Sequence, residues 1–379
     1  GVLSALRELM LVDSRDELLR SRAYGEFAYR FFASGASDLC AYVLQLATGD
    51  DNPYARALCA GIEPAAALAA AVESDLRNLQ TLCEFSPNQL KGDFAGRYLL
   101  PDVPMAAQVN LPAAYHERMR NVRKLGLGIY ARNTMFVLAD DGTISPVSHP
   151  DPVTLRDLVG YEREKQLIIQ NTQALLEGKP AANMLLTGDA GTGKSSTVKA
   201  VVNKLAAEGL RILELRKDQL HLIPALLDEL TANPLCFILF IDDLSFSHNS
   251  DDYAALKAVL EGSVSAKSPN VVVYATSNRR HLVKESFSER DGDDVHRNDT
   301  IQEIVSLSER FGIRVTFSKP NKETYLAIVS QLVRDRGMEF DADKLALAAE
   351  RYALRSGGRS ARRARQFVDA LVSGSQTVE

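Results

Sequence analysis

The chain contains no tryptophan, and its 379 residues include only four cysteines. Cys40, Cys59, Cys83 and Cys236 follow no C-x-x-C or Cys/His spacing. Neither a zinc site nor a disulfide framework is therefore expected, and reduced thiols in a cytoplasmic protein are. Uninterrupted apolar runs are short, well under the roughly 20 residues that a membrane-spanning helix needs. The first residues, Gly1-Val2-Leu3-Ser4, lack the basic-then-apolar order of a secretory signal. An excess of one charge sign is missing as well. Lys and Arg number 44 against 49 Asp and Glu, a net charge of −5. No global basic field attracts nucleic acid, so any such site has to be a local patch. What remains, 46% hydrophobic and 25% charged residues, is an ordinary globular mixture. At this length roughly two or three domains are expected.

One stretch stands out: Met184-Leu185-Leu186-Thr187-Gly188-Asp189-Ala190-Gly191-Thr192-Gly193-Lys194-Ser195-Ser196. An apolar run, a glycine-rich turn and a Lys-Ser pair opening a helical pattern satisfy G-x-x-x-x-G-K-[ST], the phosphate-binding P-loop. Gly188, Gly191 and Gly193 permit a tight turn whose N–H groups point inward at phosphate oxygens. The helix that follows offers its positive dipole end to the same anion. Lys194 reaches the β- and γ-phosphates, and the Ser195 hydroxyl can ligate Mg²⁺.

In front of this stretch, residues 1 to about 125 read as helical, with Leu3, Leu6 and Met10 at helical spacing. A break falls at Gly49 to Pro53, and an Ala-rich helix runs from Ala65 to about Leu82. This region reads equally as a recruitment domain for a protein partner and as a scaffold bundle. The basic cluster Arg118, Arg120, Arg123 and Lys124 is interrupted by Glu117 and poor in aromatics, so a solvated helix face is favoured over a nucleic-acid patch. Gly128–Ala131 and Met135–Leu138 read as strands. Asp140 to Thr143 is a hairpin turn, Ile144–Val147 its return, and Ser148 to Pro152 a linker. The expected domains are 1–125 helical, 126–152 hairpin and linker, 153–318 nucleotide-binding core and 319–379 helical lid.

Beyond the linker, apolar runs alternate with helical patterns. Helices are expected over about 162–177, 194–209, 219–230 and 253–261, and strands over 211–215, 235–241, 271–276 and 313–317. Such alternation implies a parallel sheet covered on both faces. The run Leu235–Ile241 ends in Asp242-Asp243, a carboxylate pair at the end of a strand expected beside the P-loop strand. Asp242 is assigned to Mg²⁺ and Asp243 to polarising the attacking water. The strand over 271–276 ends in Ser277-Asn278-Arg279-Arg280-His281, where a polar residue can hydrogen-bond the γ-phosphate or that water. Asp291 to Asp294 reads as a solvated acidic loop. The tail is helical over about 323–336, 342–352 and 360–373, with Arg359, Arg362, Arg363 and Arg365 gathered near its last helix.

With P-loop, acidic pair, Ser-Asn strand end, Arg310-Phe311-Gly312 before the last strand and a lid carrying Gly357-Gly358-Arg359-Ser360-Ala361-Arg362, residues 155–371 resemble the AAA+ ATPases. Gly191 to Ser196, Ile241 to Phe246 and Tyr274 to His281 are similar to one bacterial AAA+ family catalogued as a domain of unknown function. The resemblance implies an αβα core with a five-stranded parallel sheet, a helical lid, bound ATP and Mg²⁺, and assembly into a homo-oligomer such as a hexamer-type ring. It implies Gly188, Gly193, Lys194 and Ser195 as Walker A, Asp242 and Asp243 as Walker B, and Asn278 as sensor 1. It makes Arg310 a finger reaching a neighbour's ATP, Arg362, with Arg359 as the alternative, the sensor 2 arginine, and Val159-Gly160-Tyr161 the adenine segment.

Two departures qualify the likeness. Asp243 stands where many members carry Glu, one methylene longer. No aromatic-hydrophobic-Gly pore loop follows the second strand, where Arg216 to His221 stand instead. The expected function is ATP hydrolysis at subunit interfaces that remodels or loads a macromolecular partner. A non-hydrolytic ATP switch and a DNA-associated loader or initiator are the alternatives.

Overall fold

A computed structural model describes residues 1–13, 15–92, 99–105, 109–244, 256–257, 260, 268–278 and 309–378. They form two compact units, Gly1–Arg132 and Asn133–Glu379. The expected helix at 253–261 and the segments 279–281, 291–294 and 306–308 lie largely or wholly outside the described residues.

The first unit is helical: α1 (Val2–Leu11), α2 (Glu17–Ala33), α3 (Leu39–Gly49), α4 (Pro53–Cys59), α5 (Ala66–Cys83), α6 (Pro87–Lys91), α7 (Leu111–Arg120) and α8 (Val122–Leu125). Its core gathers Leu9, Tyr24, Phe27, Phe31, Leu39, Val43 and Tyr115, all buried. The helix starts are chemically marked. Asp38 caps α3 by accepting from Ala41 N, Asn52 caps α4 ahead of Pro53, and Asn110 caps α7. Each side chain satisfies an N–H that the helix leaves without a partner. Gly128–Ala131, expected as a strand, is a single 3₁₀ turn with no buried residue. Gly126 and Gly128, at φ +74° and +55°, turn the backbone away from an extended path.

The second unit is built on a seven-stranded sheet: β1 (Met135–Leu138), β2 (Ile144–Pro146), β3 (Met184–Gly188), β4 (Leu210–Leu215), β5 (Cys236–Ile241), β6 (Val271–Ser277) and β7 (Ile313–Phe317). Their order is β2-β1-β4-β5-β6-β3-β7, parallel except for the β1–β2 hairpin. The sheet has seven strands rather than five because the hairpin, expected outside the core, pairs with β4 through Met135, Phe136 and Val137. Met135, Phe136 and Leu138 are buried there. β3 and β6 are buried at every residue and β5 at all but its first, as strands covered on both faces should be.

Around the sheet lie α9 (Glu162–Leu176), α10 (Lys194–Leu205) and α11 (Ile223–Thr231). The helix expected from about 219 begins as a 3₁₀ turn over Lys217–Leu222. Pro224 explains the switch, since proline fits only the first turn of the α-helix that follows. Behind β7 come the lid helices α12 (Lys322–Asp335), α13 (Ala342–Arg355) and α14 (Ala361–Val372), packed around Tyr325, Ala349 and Phe367. Among the described residues no helix is long and apolar enough to cross a membrane.

Candidate nucleotide site

The P-loop joins β3 to α10, and its glycines are needed for two different reasons. At Gly188, φ +147°, an added Cβ would stand 2.1 Å from the Phe317 carbonyl oxygen of β7. Gly193, φ +93°, is the N-cap of α10; a Cβ there meets nothing within 4 Å, so the left-handed backbone alone demands glycine. Inside the loop the Thr192 hydroxyl donates to the Asp189 carbonyl at 2.9 Å. Ala190 is exposed, while Ser195 and Ser196 are half-buried on the first turn of α10.

Lys194 is buried, and its ammonium donates to the carbonyls of Gly188 and Asp189, both at 2.9 Å, and to Asn278 Oδ1 at 3.0 Å. Burial pushes its pKa down; Asp242, Asp243 and Asp189 pull it back up, and the nearby Arg362 adds to the lowering.

Asp242 and Asp243 follow β5 directly. Contrary to expectation β5 does not adjoin the P-loop strand, because β6 lies between them. The carboxylate nevertheless reaches across: Ser195 Oγ donates to Asp242 Oδ1 at 2.6 Å. Thr276 Oγ1 donates to the same oxygen at 2.5 Å and accepts from Asp243 N at 2.9 Å. Asp243 is one of two described non-glycine residues with positive φ, +53°. Its Oδ1 accepts from Asn278 Nδ2 at 2.8 Å. Ser195, Asp242, Thr276, Asp243, Asn278 and Lys194 thus form one continuous hydrogen-bonded network across two strand ends and a helix start. Thr276 was not singled out in the sequence. Its signal, a hydroxyl near the end of an apolar strand, acquires meaning only through the register of β5 against β6.

Beside the loop a small cleft is lined by Val159, Gly160, Tyr161, Thr192, Gly193, Ile328, Leu332 and Arg365, among others. Gly160 and Tyr161 both have left-handed backbones, φ +82° and +58°. A Cβ on Gly160 would come within 3.0 Å of Thr324 Cγ2 on α12. The Tyr161 ring packs on Phe317 with centroids 5.1 Å apart, and its hydroxyl donates to Ser318 O at 2.6 Å. Burial pushes that hydroxyl up to about 12.

The two lid arginines part company. Arg359 is held by Glu350, Nε to Oε1 at 2.8 Å and a second bond at 2.5 Å. Arg362 lies against the loop: its N–H donates to Gly191 O at 3.2 Å, and its Cβ would be 2.9 Å from a Cβ on Gly191. Arg310 is half-buried ahead of β7. Register places Ile313 beside Met184 and Phe317 beside Gly188. Arg310 therefore precedes the amino end of β7, whereas the P-loop leaves the carboxyl end of the neighbouring β3.

These residues fit Mg²⁺-bound ATP. The Ser195 hydroxyl and the Asp242 carboxylate are hard oxygen donors only 2.6 Å apart. The described residues hold no cluster of three or more His, Cys, Asp or Glu able to cage a metal. Mg²⁺ needs none, since it is usually held by one or two protein oxygens plus substrate phosphates.

Solved structures similar to the chain include two of RuvB from Thermotoga maritima. One, a point mutant, is 16% identical, with a TM-score of 0.40 over 59% of this chain and 67% of that one. The other, described as a Holliday junction branch migration motor, is 14% identical, with a TM-score of 0.35 over 58% and 72%. No curated protein matches the sequence. Residues 131–375 match the family described as "Protein of unknown function (DUF815)". That match spans the whole sheet, the P-loop and the three C-terminal helices, and the chain belongs to the DUF815 family.

Proposed function

We propose that the chain is a Mg²⁺-dependent ATP hydrolase working between subunits of a homo-oligomer, to remodel or load a macromolecular partner. The observation that carries this reading is the unbroken network from Ser195 and Asp242 through Thr276 and Asp243 to Asn278 and Lys194. Groups that act together on one phosphate must be held together, and here they are held by one another.

Phosphoryl transfer depends on positioning and charge neutralisation more than on covalent help. The loop N–H groups and Lys194 hold the β- and γ-phosphate oxygens, with Arg362 adding charge from the lid. Val159, Gly160 and Tyr161 line the place of the base. Ser195 and Asp242 hold the cation, which when bound neutralises phosphate charge. Asp243, steadied by Asn278, orients the attacking water and accepts its proton. Arg310 precedes the end of β7 opposite to the one that meets the P-loop, which supports a role on a neighbour's ATP. The helical unit Gly1–Arg132 is the part available for recruiting the partner.

The test is ATP titration and phosphate release by the full chain and by Lys194→Ala. Removing a charge-assisted hydrogen bond is worth ~1.5–3 kcal/mol, so ATP affinity should fall about 10- to 100-fold. Unchanged affinity would refute the phosphate site. A non-hydrolytic switch is favoured only if ATP binds and no phosphate is released at any protein concentration. The short Asp243 side chain, already engaged by Asn278, is the feature that speaks for that second reading.

A further inference from the structure

We infer that Thr276 is a positioning residue for cation binding, one that orients the Asp242 carboxylate and the Asp243 turn together. The inference rests on the Mg²⁺-ATP reading of the site and adds to it a group from a strand that contributes neither the P-loop nor the acidic pair.

Thr276 is the penultimate residue of β6 and is 1% exposed. A buried hydroxyl has one proton to give and lone pairs to receive. Thr276 uses both: it donates to Asp242 Oδ1 at 2.5 Å and accepts from Asp243 N at 2.9 Å. Asp242 Oδ1 also accepts from Ser195 Oγ at 2.6 Å and from Asp243 N at 3.1 Å. Three donors on one oxygen fix the carboxylate's rotation and leave Oδ2 for the cation or its water. The same hydroxyl anchors the peptide that opens the left-handed turn at Asp243, φ +53°. A non-glycine residue there stores strain and persists only where its surroundings hold it.

The hydroxyl is itself held rigidly. β-branching restricts its χ1, and β5 and β6 stay tied beyond their paired ends. Leu244 N donates to Thr276 O at 2.7 Å, and the buried Ser277 Oγ donates to Leu244 O at 2.8 Å. One threonine therefore links the carboxylate that faces the cation to the backbone of the carboxylate that faces the water. Partners of this kind behind a metal ligand typically matter about 10- to 100-fold in metal affinity or activity.

The experiment measures binding of a fluorescent ATP analogue to the full chain with and without Mg²⁺, beside phosphate release, for wild type, Thr276→Val and Thr276→Ser. Valine keeps the shape and removes the hydroxyl; serine keeps the hydroxyl. In Thr276→Val, Mg²⁺-free binding should stay within about twofold of wild type, the Mg²⁺ concentration giving half-maximal tightening should rise about tenfold, and turnover should fall 10- to 100-fold. Thr276→Ser should restore both to within about threefold. Wild-type Mg²⁺ dependence in Thr276→Val, or a serine variant no better than valine, overturns the assignment while leaving the nucleotide site standing. Failure of the wild-type chain to bind the analogue overturns the reading beneath it, and the assignment with it. Melting curves accompany each variant; if valine prevents folding, Thr276→Ala takes its place with the same expectations.

Discussion

The helical unit and the sheet unit bury aromatic side chains equally well, but they use polar side chains in opposite ways. In the first, apart from surface ion pairs such as Arg30–Glu26 and Arg56–Asp51, polar groups serve the backbone. Asp38, Asn52 and Asn110 cap helices, and Arg20 donates to the carbonyls of Leu90 and Lys91, with a longer contact to Val12. In the second, at the carboxyl ends of β3, β5 and β6, polar groups serve one another: Ser195 with Asp242, Asp243 with Asn278, Asn278 with Lys194. Polar side chains matched to backbone are scaffolding. Charged side chains gathered at the ends of adjacent strands and matched among themselves mark a candidate site, because a shared ligand would offset the desolvation that such a gathering costs.

The contrast can be broken or sharpened. The largest effect is expected from Arg310→Ala, which on the proposed trans role should lower ATP turnover by about 10³–10⁵, the range typical of an arginine finger, while ATP still binds. Mixing it with Lys194→Ala should restore part of the turnover if the finger works across subunits; full activity of Arg310→Ala alone sinks the trans assignment. Next comes Phe27→Ala in the helical core, where the side chain is 0% exposed. A loss of about 3–5 kcal/mol is expected in denaturant unfolding of that unit, with ATP affinity unchanged. An affinity that falls in step would show that the helical unit is more than scaffold.

A smaller effect concerns pH. Burial lowers the Lys194 pKa from its ordinary value of 10.5. On the proposed reading the charged form binds phosphate, so ATP affinity should decline as pH rises and begin to do so below 10.5, by up to about tenfold per unit. Lys194→Arg keeps its charge and should flatten that decline; an identical pH profile for the two would contradict it. The smallest effect belongs to the lid. Arg359 holds the Glu350 carboxyl below its usual 4.5. A lowered carboxyl contributes stability above that value and loses it as pH falls beneath it. Acid melting of Glu350→Gln should show a shallower loss below 4.5 than wild type, with turnover at neutral pH little changed.

Much of the sheet was legible because its strands are continuous apolar runs and its loop is spelled in glycines. Leu235–Ile241 and Val271–Thr276 could hardly be anything but buried strands. What escaped depended on partners distant in sequence. The β1–β2 hairpin reads as a separate ribbon until β4 arrives beside Met135. β6 slips between the P-loop strand and the acidic strand, an order no local pattern encodes. Gly128–Ala131 misled because Ile129 and Tyr130 favour strands while the flanking glycines fix a turn. Arg359 and Arg362 lie three residues apart in similar company. Which one meets the loop is decided by the cap at Ser360, which starts α14 between them.

The Phe317 carbonyl at Gly188 has a consequence for heredity rather than for chemistry. A side chain can swing aside to make room for a mutation; a strand's backbone cannot. With that oxygen 2.1 Å from where any Cβ would sit, no codon other than glycine's leaves the first position of the loop intact. The spelling of the phosphate loop is thus dictated partly from far downstream, by a strand that closes against it only after more than a hundred further residues have been translated.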